Sequence, residues 1–370
     1  MIPILYSPTA TTFDHNGLGL LMDTITCMVT EELNGLFELE LTYPVDGIHA
    51  DEIEVNCIIR AEPRENASVL EPFRVYRVSR TISGQITVYA QHMSYQLSYV
   101  PCMPVTKESR TASAALTAMM QAAAETCPVT FSTDITTTAE FGVKEPISIR
   151  AAIGGVEGSF LDTYGGEVLW QWPSVSILQN RGVESGLVIE FGRNMLDLVD
   201  DDSMAGVITG ICPYCRNITD GNEEILTLTE KVLESSYADV FPFRRTVCVD
   251  LSDKFTDIGS DGVTEQQLRE AATAYLDKNA LSSAKFSIEV SFIGAKEDLG
   301  YTLLNANNVP SLGDTVTVKF SALSLSTKEK VTKTIYDVLL ERYNSVTVGR
   351  PAQDLATTIT NAAFGDEILI

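Results

Sequence analysis

Residues 24–44 read TITCMVTEELNGLFELELTYP, and this stretch carries the clearest β-strand pattern of the chain. On both sides of the central Asn34-Gly35 pair, apolar and polar residues alternate with a period of two. The apolar positions are Ile25, Cys27 and Val29 before the pair, and Phe37, Leu39, Leu41 and Tyr43 after it. This alternation is typical of strands with one face on a core. Asn-Gly favours a tight turn in which both residues have positive φ, so the stretch predicts an antiparallel hairpin that Pro44 ends.

Further strands of the same kind are predicted in the first hundred residues. One strand is expected to place alternate residues on its inner face, namely Ile53, Val55, Cys57, Ile59 and Ala61. A second pair is predicted at 73–80 and 86–90, around Ser83-Gly84. Five or more short strands at this spacing are typical of a small sandwich or barrel. We therefore predict that residues 1–98 form a first β-barrel domain.

The composition changes after this region. Residues 111–125 are rich in Ala, Leu and Met and contain no Gly or Pro, which predicts a helix that Pro128 closes. A mixed segment follows, with candidate elements at 147–150 and 159–164 and a strand at 167–172. Together these features predict an α/β domain at residues 99–185.

The second half repeats the order of strands followed by a helix. Strands are predicted at 187–191, 205–211, 225–229, 316–320 and 331–340. Thr264 and Gln267 form a capping-box pattern, and the apolar stripe that follows is Leu268, Ala271, Ala272, Tyr275 and Leu276. A strand is predicted at 285–293. We predict a second β-barrel at 186–253 and 305–350, an inserted helix–strand segment at 254–304 and a C-terminal tail at 351–370. The similar order in both halves indicates an internal duplication.

The charge balance excludes several classes of protein. The 370 residues include 26 Lys and Arg against 50 Asp and Glu, a formal net charge of −24. Binding to nucleic acid by phosphate neutralisation needs clustered basic residues, and an anionic membrane surface would repel such a chain. The same repulsion is compatible with a surface that DNA passes without binding. No apolar run is long enough for a membrane-spanning helix, and residues 1–6 lack the features of a signal peptide. The seven scattered cysteines indicate reduced thiols in a protein made in a cytoplasm.

Motifs that carry chemistry are absent or incomplete. There is no H-E-x-x-H, G-x-S-x-G or Walker-type loop, and Gly17-Leu18-Gly19 has Met22 where a dinucleotide loop needs glycine. Cys212-Pro213-Tyr214-Cys215 matches the redox site of glutaredoxins, but residues 216–221 predict a turn where that site needs a helix. A zinc site would need a second pair of ligands.

The remaining acidic and histidine residues favour structural readings. Residues 200–202 and 257–262 lack the frame of a calcium loop and are predicted to be solvated turns. Of the three histidines, at 15, 49 and 92, His92 is predicted to be a hydrogen-bonded residue at the end of a strand. We predict no catalytic residue, no cofactor-binding residue and no metal ligand.

Several segments together carry a family likeness. They are residues 31–44, 158–167, 191–195, 209–228 and 249–255, which read EELNGLFELELTYP, GSFLDTYGGE, FGRNM, TGICPYCRNITDGNEEILTL and VDLSDKF. In this order and spacing, over roughly residues 20–350, the chain resembles the N-terminal hub region of phage tail-tip proteins. This is the family of phage minor structural proteins also called tail-associated lysozymes or prophage tail endopeptidases.

The resemblance implies a fold, α+β and mostly β, like that of the baseplate hub proteins of contractile tails. Such hubs are homotrimers with two related β-barrel domains per chain, so that six similar modules sit on a sixfold tail tube. The implied partners are two further copies of this chain, the tail tube or distal tail protein, the tape measure protein and the spike or receptor-binding proteins. DNA would pass through without specific binding, and no membrane insertion is implied. The implied location is the tail tip or baseplate of a virion or phage-tail-like particle made in the bacterial cytoplasm.

Enzymatic members of the family carry a peptidase or lysozyme module after the hub. Residues 350–370 contain no catalytic set, so we predict a structural virion protein and not an enzyme. Two alternatives stay open at this point. One is a tail-associated cell-wall hydrolase, and the other is a thiol oxidoreductase that uses Cys212 and Cys215.

Overall fold

The computed structural model describes residues 1–349 except 66, 68, 191–194, 204–207, 220–221, 236–237, 239–242, 256–261, 280–284, 293–309 and 321–324. The described residues form two compact units. The first comprises those within Met1–Asp200 and Ser287–Ile370, and the second those within Asp201–Phe286. The predicted tail at 351–370 lies outside the described residues. No helix of the described part is long and apolar enough to cross a membrane.

The first unit begins with a run of antiparallel strands. Their bounds are β1 (Ile4–Tyr6), β2 (Gly19–Leu20), β3 (Thr26–Glu32), β4 (Phe37–Pro44), β5 (Ile58–Ala61), β6 (Glu71–Arg80) and β7 (Gln85–His92). They lie side by side in the order β3-β4-β7-β6-β5-β1-β2. In the predicted hairpin Cys27 lies opposite Leu41 and Val29 opposite Leu39, and all four side chains are buried. Full burial of a large apolar side chain stabilises a fold by about 1.5–3 kcal/mol, so this alternation sets which face of the sheet meets the core.

The turn of this hairpin differs from the prediction. Asn34 has a positive φ of 55°, but Gly35 does not, because the loop spans residues 33–36 and is not a two-residue turn. The N–H of Glu32 donates to the carbonyl of Leu36 at 2.7 Å, and the N–H of Gly35 donates to the carbonyl of Glu32 at 3.1 Å. A loop of this length needs only one left-handed residue.

The strand predicted from Ile53 to Ala61 is shorter than expected. Only Ile58–Ala61 pair as β5, and Val55 is 49% exposed. Asn56, with φ 74°, bends the backbone out of the extended conformation, so the alternation before it does not continue into the strand.

The middle of the first unit mixes short strands and helices. They are β8 (Pro101–Cys102), β9 (Val105–Thr111), α1 (Ala112–Gln121), β10 (Thr130–Thr133), β11 (Thr138–Val143), β12 (Ile147–Ser148), α2 (Ile149–Ile153), α3 (Phe160–Tyr164), β13 (Glu167–Gln171) and β14 (Ser174–Leu178). Thr111 caps α1 by accepting the N–H of Ala114. The helix ends four residues before the predicted position because residues 122–124 pair with residues 101–103. Two strands follow, β15 (Glu184–Glu190) and β16 (Met195–Ser203).

The second unit is a small sheet with one helix packed on it. Its elements are β17 (Gly210–Thr219), β18 (Asn222–Thr227), β19 (Leu233–Glu234), β20 (Thr246–Asp250) and α4 (Glu265–Asn279). The predicted capping box is confirmed, since Thr264 Oγ1 accepts the N–H of Gln267 and the Gln267 side chain accepts the N–H of Thr264. Leu268, Ala272 and Leu276 form the buried stripe of α4 and pack on the sheet.

The last strands return to the first unit and complete its sheet. They are β21 (Lys285–Phe292), β22 (Thr315–Phe320), β23 (Leu325–Asp337) and β24 (Arg342–Gly349). β24 pairs with β23, and β23 pairs antiparallel with β3, with Thr334 opposite Glu31. The N-terminal and C-terminal strands of the chain therefore belong to one continuous sheet.

Candidate functional site: a buried charge junction and an apolar rim

A fully buried carboxylate lies where β3 meets β23. Oε2 of Glu31 is 2.9 Å from Nη1 of Arg64, and Oε1 is 2.7 Å from Nη2 of Arg181. Glu31 is 1% exposed. Burial alone would raise the pKa of Glu31, but the positive charges of Arg181 and Arg64 outweigh burial and hold this pKa below its usual range. Glu31 is therefore an anion that joins three segments distant in sequence. We name Glu31, Arg64, Arg181, Glu167 and Lys330 the charge junction.

Glu167 continues the junction at the start of β13. Its Oε1 pairs with Nζ of Lys330 on β23, and its Oε2 accepts the N–H of Arg181 at 2.7 Å. Lys333, on the same strand as Lys330, pairs with Glu32 at 3.1 Å. Acids of the N-terminal and middle segments thus meet lysines of the C-terminal strand, which favours this strand order over others.

Asn34 adds a neutral contact beside these charges. Its Nδ2 donates to the carbonyl of Gly166 at 2.9 Å, and its Oδ1 accepts the N–H of Val168 at 2.8 Å. The side-chain amide therefore pairs with backbone as a strand residue would. Asn34, which indicated a turn in the sequence, therefore also holds the hairpin against β13 through these two hydrogen bonds.

A Ser–His–Glu set lies at the end of β7. Oγ of Ser94 is 2.9 Å from Nδ1 of His92, and Nε2 of His92 is 3.1 Å from Oε2 of Glu71. These are the residue types and distances of a hydrolase triad, but the two ring nitrogens are exchanged, since in such a triad Nε2 contacts the serine and Nδ1 the carboxylate. The sequence indicated only His92, as a hydrogen-bonded strand-end residue, and that position is confirmed. Glu71 and Ser94 belong to no local motif, so sequence analysis missed them.

The surroundings of the Ser–His–Glu set favour a structural role. All three side chains are 1% exposed, and the His92 ring stacks on Phe37 with 4.4 Å between ring centroids. Oε2 of Glu71 also accepts the N–H of Trp172 at 2.9 Å. Burial lowers the pKa of His92, although its hydrogen bond to Glu71 acts in the opposite direction. A nucleophile must reach its substrate, and here Ser94 is enclosed by the core.

Arg150 on α2 is the cation of this polar core. It is 0% exposed, and its Nη1 donates to Ser94 Oγ at 3.2 Å. Its guanidinium carbon lies 4.0 Å from the ring centroid of Tyr95 and 4.9 Å from that of Trp170. Burial lowers the pKa of Arg150. Within the described residues Nε and Nη2 have no hydrogen-bond partner, so the aromatic faces supply much of the stabilisation of this charge.

The two cysteines of the glutaredoxin-like string lie in a β-strand and not at the start of a helix. Cys212 and Cys215 both lie in β17, which continues to Thr219. The turn predicted from residue 216 is therefore wrong as far as Thr219, because residues 214–219 pair with β18. Burial raises the pKa of both thiols. A low-pKa thiol at a helix N-terminus, which the redox chemistry requires, is not formed by these two residues.

The glycines at 17 and 19 serve close packing. A Cβ on Gly17 would lie 2.2 Å from the carbonyl oxygen of Leu5, and one on Gly19 would lie 2.0 Å from Nε2 of His49. His49 itself pairs with Glu52. These contacts explain both glycines without a bound phosphate.

The two acidic segments that were predicted to be turns, residues 200–202 and 257–262, have different outcomes in the structure. Residues 200–202 belong to β16 and not to the predicted turn, because the strand that begins at Met195 continues to Ser203. Residues 257–261 lie outside the described part of the chain. Among the described residues, no group of three or more His, Cys, Asp or Glu side chains could hold a metal ion.

Large apolar side chains are exposed at one end of the N-terminal strands. We name them the apolar rim, which consists of Met22, Ile25, Val45, Ile48 and Ile82. The N–H of Ile25 donates to the carbonyl of Thr42, that of Val45 to the carbonyl of Gly84, and that of Ile48 to Asp23. These bonds bring the segments together, and the side chain of Ile82 is fully exposed. Several exposed apolar side chains on neighbouring segments are a feature of surfaces that bind other proteins.

No protein-family model matches the chain, and no curated protein matches it.

Comparison by structure identifies the class of fold. The chain has the fold of three tail proteins of known structure, two of which are prophage proteins. It superposes on the prophage tail protein gp18 from Listeria monocytogenes EGD-e with a TM-score of 0.57 and 13% identity, over 98% of both chains. The tail protein from Neisseria meningitidis MC58 gives a TM-score of 0.55 and 7% identity, over 97% of this chain and 98% of that one. The 43 kDa tail protein of prophage MuSo2 from Shewanella oneidensis gives a TM-score of 0.56 and 10% identity, over 95% of this chain and 99% of that one. The predicted mostly β, α+β fold is confirmed.

Proposed function

We propose that this chain is a structural protein of a phage tail or phage-tail-like particle, located at the tail tip or baseplate as the hub. The observation that carries the proposal is the match in fold to prophage tail proteins over 98% of both chains. The continuous sheet, with β3 and β23 joined beside the charge junction, supports it. Such a sheet joins strands from the first and last parts of the described chain in one body, which suits a protein that bears mechanical load.

The hub would be a homotrimer in which each chain contributes two related β-barrel modules, with the sequence-based boundaries at 98, 185, 253 and 304. Its partners would be the tail tube or distal tail protein, the tape measure protein and the spike or receptor-binding proteins. DNA would pass an acidic surface without binding, because a net charge of −24 repels phosphates. We propose the apolar rim as the contact between copies, since it is apolar and solvent-exposed in the single chain.

The solution mass tests this proposal. Light scattering on a sizing column is expected to give three times 40.4 kDa, or about 121 kDa, with rings or short tubes in negative-stain images. Ile82→Asp places a charge in the rim and is expected to shift the mass towards the monomer. Ser83→Asp adds the same charge to an exposed polar residue of the same turn and serves as the matched control. A parent protein that stays monomeric both alone and with purified tail tubes would refute the hub assignment.

An enzymatic role makes a different prediction. A tail-associated cell-wall hydrolase would release soluble fragments from purified cell walls, and Ser94→Ala would abolish that release. We expect no release by the parent protein, because Ser94 is enclosed. The thiol oxidoreductase alternative, which uses Cys212 and Cys215, would show catalytic disulfide reduction that Cys212→Ser or Cys215→Ser removes. We expect no such turnover by this pair, because Cys215 is buried in the core.

A further inference from the structure

Two cysteines of the second unit face each other across parallel strands. In the register of β17 and β20, Cys212 lies opposite Cys248. Neighbouring strands are about 4.8 Å apart, within the range of about 4.4–6.8 Å that disulfides span between Cα atoms. Opposite residues of a ladder place their side chains on the same face, so the two thiols point to the same side of the sheet. The pair is thus close enough to be joined with little movement of the backbone.

The sequence string suggested a different pair. Cys215 follows Cys212 by three positions in one strand, and an odd separation puts the two side chains on opposite faces. Cys215 is buried in the core between the sheet and α4, beside Leu268 and Leu276. Cys212 lies on the other face. A bond between Cys212 and Cys215 would require β17 to break.

We propose that Cys212 and Cys248 are a modification site, forming a reversible disulfide by exchange with a small-molecule disulfide such as glutathione disulfide. Cys248 is exposed, whereas Cys212 is partly covered, so the small molecule reaches Cys248 first. Burial and the neighbouring Cys248 raise the pKa of Cys212, which suits it to the second step and not the first.

The exchange balances in two steps. The Cys248 thiol loses its proton to water, and its thiolate attacks one sulfur of glutathione disulfide. The S–S bond breaks, one glutathione thiolate leaves, and a mixed disulfide remains on Cys248. The Cys212 thiol then loses its proton and attacks the Cys248 sulfur, and the second glutathione thiolate leaves. Two protein thiols are oxidised, and one glutathione disulfide is reduced to two thiols.

The bond would tie β20 to β17 and close a loop from residue 212 to residue 248. Cross-links of this kind restrict the unfolded chain and so stabilise the unit that contains them. The effect is reversible, because exposed disulfides are open to reductants. This inference rests on strand register and exposure, and it stands independently of the proposed function.

The test is intact-mass spectrometry with peptide mapping after incubation of the native chain with glutathione disulfide. The parent is expected to lose the mass of two hydrogen atoms and to yield one cross-linked peptide pair containing Cys212 and Cys248. Cys212→Ser is expected to keep one glutathionyl group on Cys248, because no second thiol displaces it. Cys248→Ser, at an exposed position, is expected to yield no cross-link, and Cys127→Ser in the first unit serves as the control that behaves as the parent does.

Two results would overturn the inference. One is a parent chain that keeps a stable glutathionyl group on Cys248 with no cross-link. The other is a cross-link that maps to Cys212 and Cys215. Repeating the reaction in denaturant shows whether the strand pairing or the intrinsic reactivity of the thiols causes the preference. If the strand pairing causes it, the unfolded chain is expected to lose the preference for the Cys212–Cys248 pair.

Discussion

Removing the buried carboxylate of the charge junction is the sharpest test of the fold. Glu31→Gln leaves the guanidinium groups of Arg64 and Arg181 buried without their counter-ion; the two are only 14% and 5% exposed in their side chains. Breaking a buried ion pair by removing one partner costs about 3–5 kcal/mol, because an uncompensated charge stays in a medium of low dielectric constant. We therefore expect Glu31→Gln to lower the free energy of unfolding of the first unit by that amount.

The adjacent residue provides a matched control. Glu32 receives the same substitution in the same hairpin, but its partner Lys333 is 37% exposed. For a pair this open to solvent, Glu32→Gln is expected to cost about 1 kcal/mol or less. The assay is urea unfolding followed by tryptophan fluorescence. Both tryptophans of the chain, Trp170 and Trp172, lie in the first unit, so the signal reports on that unit alone.

The pH dependence of the free energy of unfolding provides a second test of the role of Glu31. The folded pKa of Glu31 is below its ordinary value of 4.5, so its contribution to stability is present above pH 4.5 and is lost as the pH falls towards the folded pKa. The difference between the parent and Glu31→Gln is therefore expected to narrow at acid pH. Equal losses for Glu31→Gln and Glu32→Gln at neutral pH would refute the claim that the buried carboxylate holds the two arginines.

Three further predictions concern other parts of the fold. Asn34→Ala removes two hydrogen bonds and puts alanine at a positive φ, so urea unfolding is expected to show a loss of about 1–3 kcal/mol in the first unit. The folded pKa of His92 is below 6.5, so the parent is expected to lose stability as the pH falls from 6.5 towards that pKa, and His92→Gln should flatten this part of a melting-temperature profile against pH. Leu268→Ala opens a cavity under α4 and is expected to cost the second unit about 2–5 kcal/mol, seen as faster hydrogen exchange in β17 with unchanged tryptophan fluorescence.

Local patterns determined the elements of this protein. The alternation across residues 24–44 predicted β3 and β4, and the stripe beginning at Leu268 predicted α4 together with its capping box. Such predictions succeed because a strand face depends on neighbours two residues apart, and a helix face on neighbours three or four apart. Both spacings can be read along the chain.

Local patterns were less reliable where a single backbone angle or a distant partner decided the outcome. The left-handed Asn56 cut short the strand expected from Ile53, and the pairing of residues 122–124 with residues 101–103 ended α1 early. The turn at Asn34 took a longer form than the Asn-Gly pair suggested. At Asn34 and Asn56 one left-handed residue within the pattern decided the path of the backbone, whereas the pairing that ended α1 involves residues outside the helical segment.

The mostly β fold, the hairpin, the capped helix and the net negative charge could all be inferred from local sequence patterns and composition. Three long-range contacts became visible only in the folded chain: β23 lies beside β3, Glu31 contacts Arg64 and Arg181, and Cys212 faces Cys248 and not Cys215. These contacts join residues tens to hundreds of positions apart. The packing of the folded chain brings these residues together. A single charged residue or cysteine produces no repeating pattern in the sequence around it, so its distant partner cannot be predicted from that sequence.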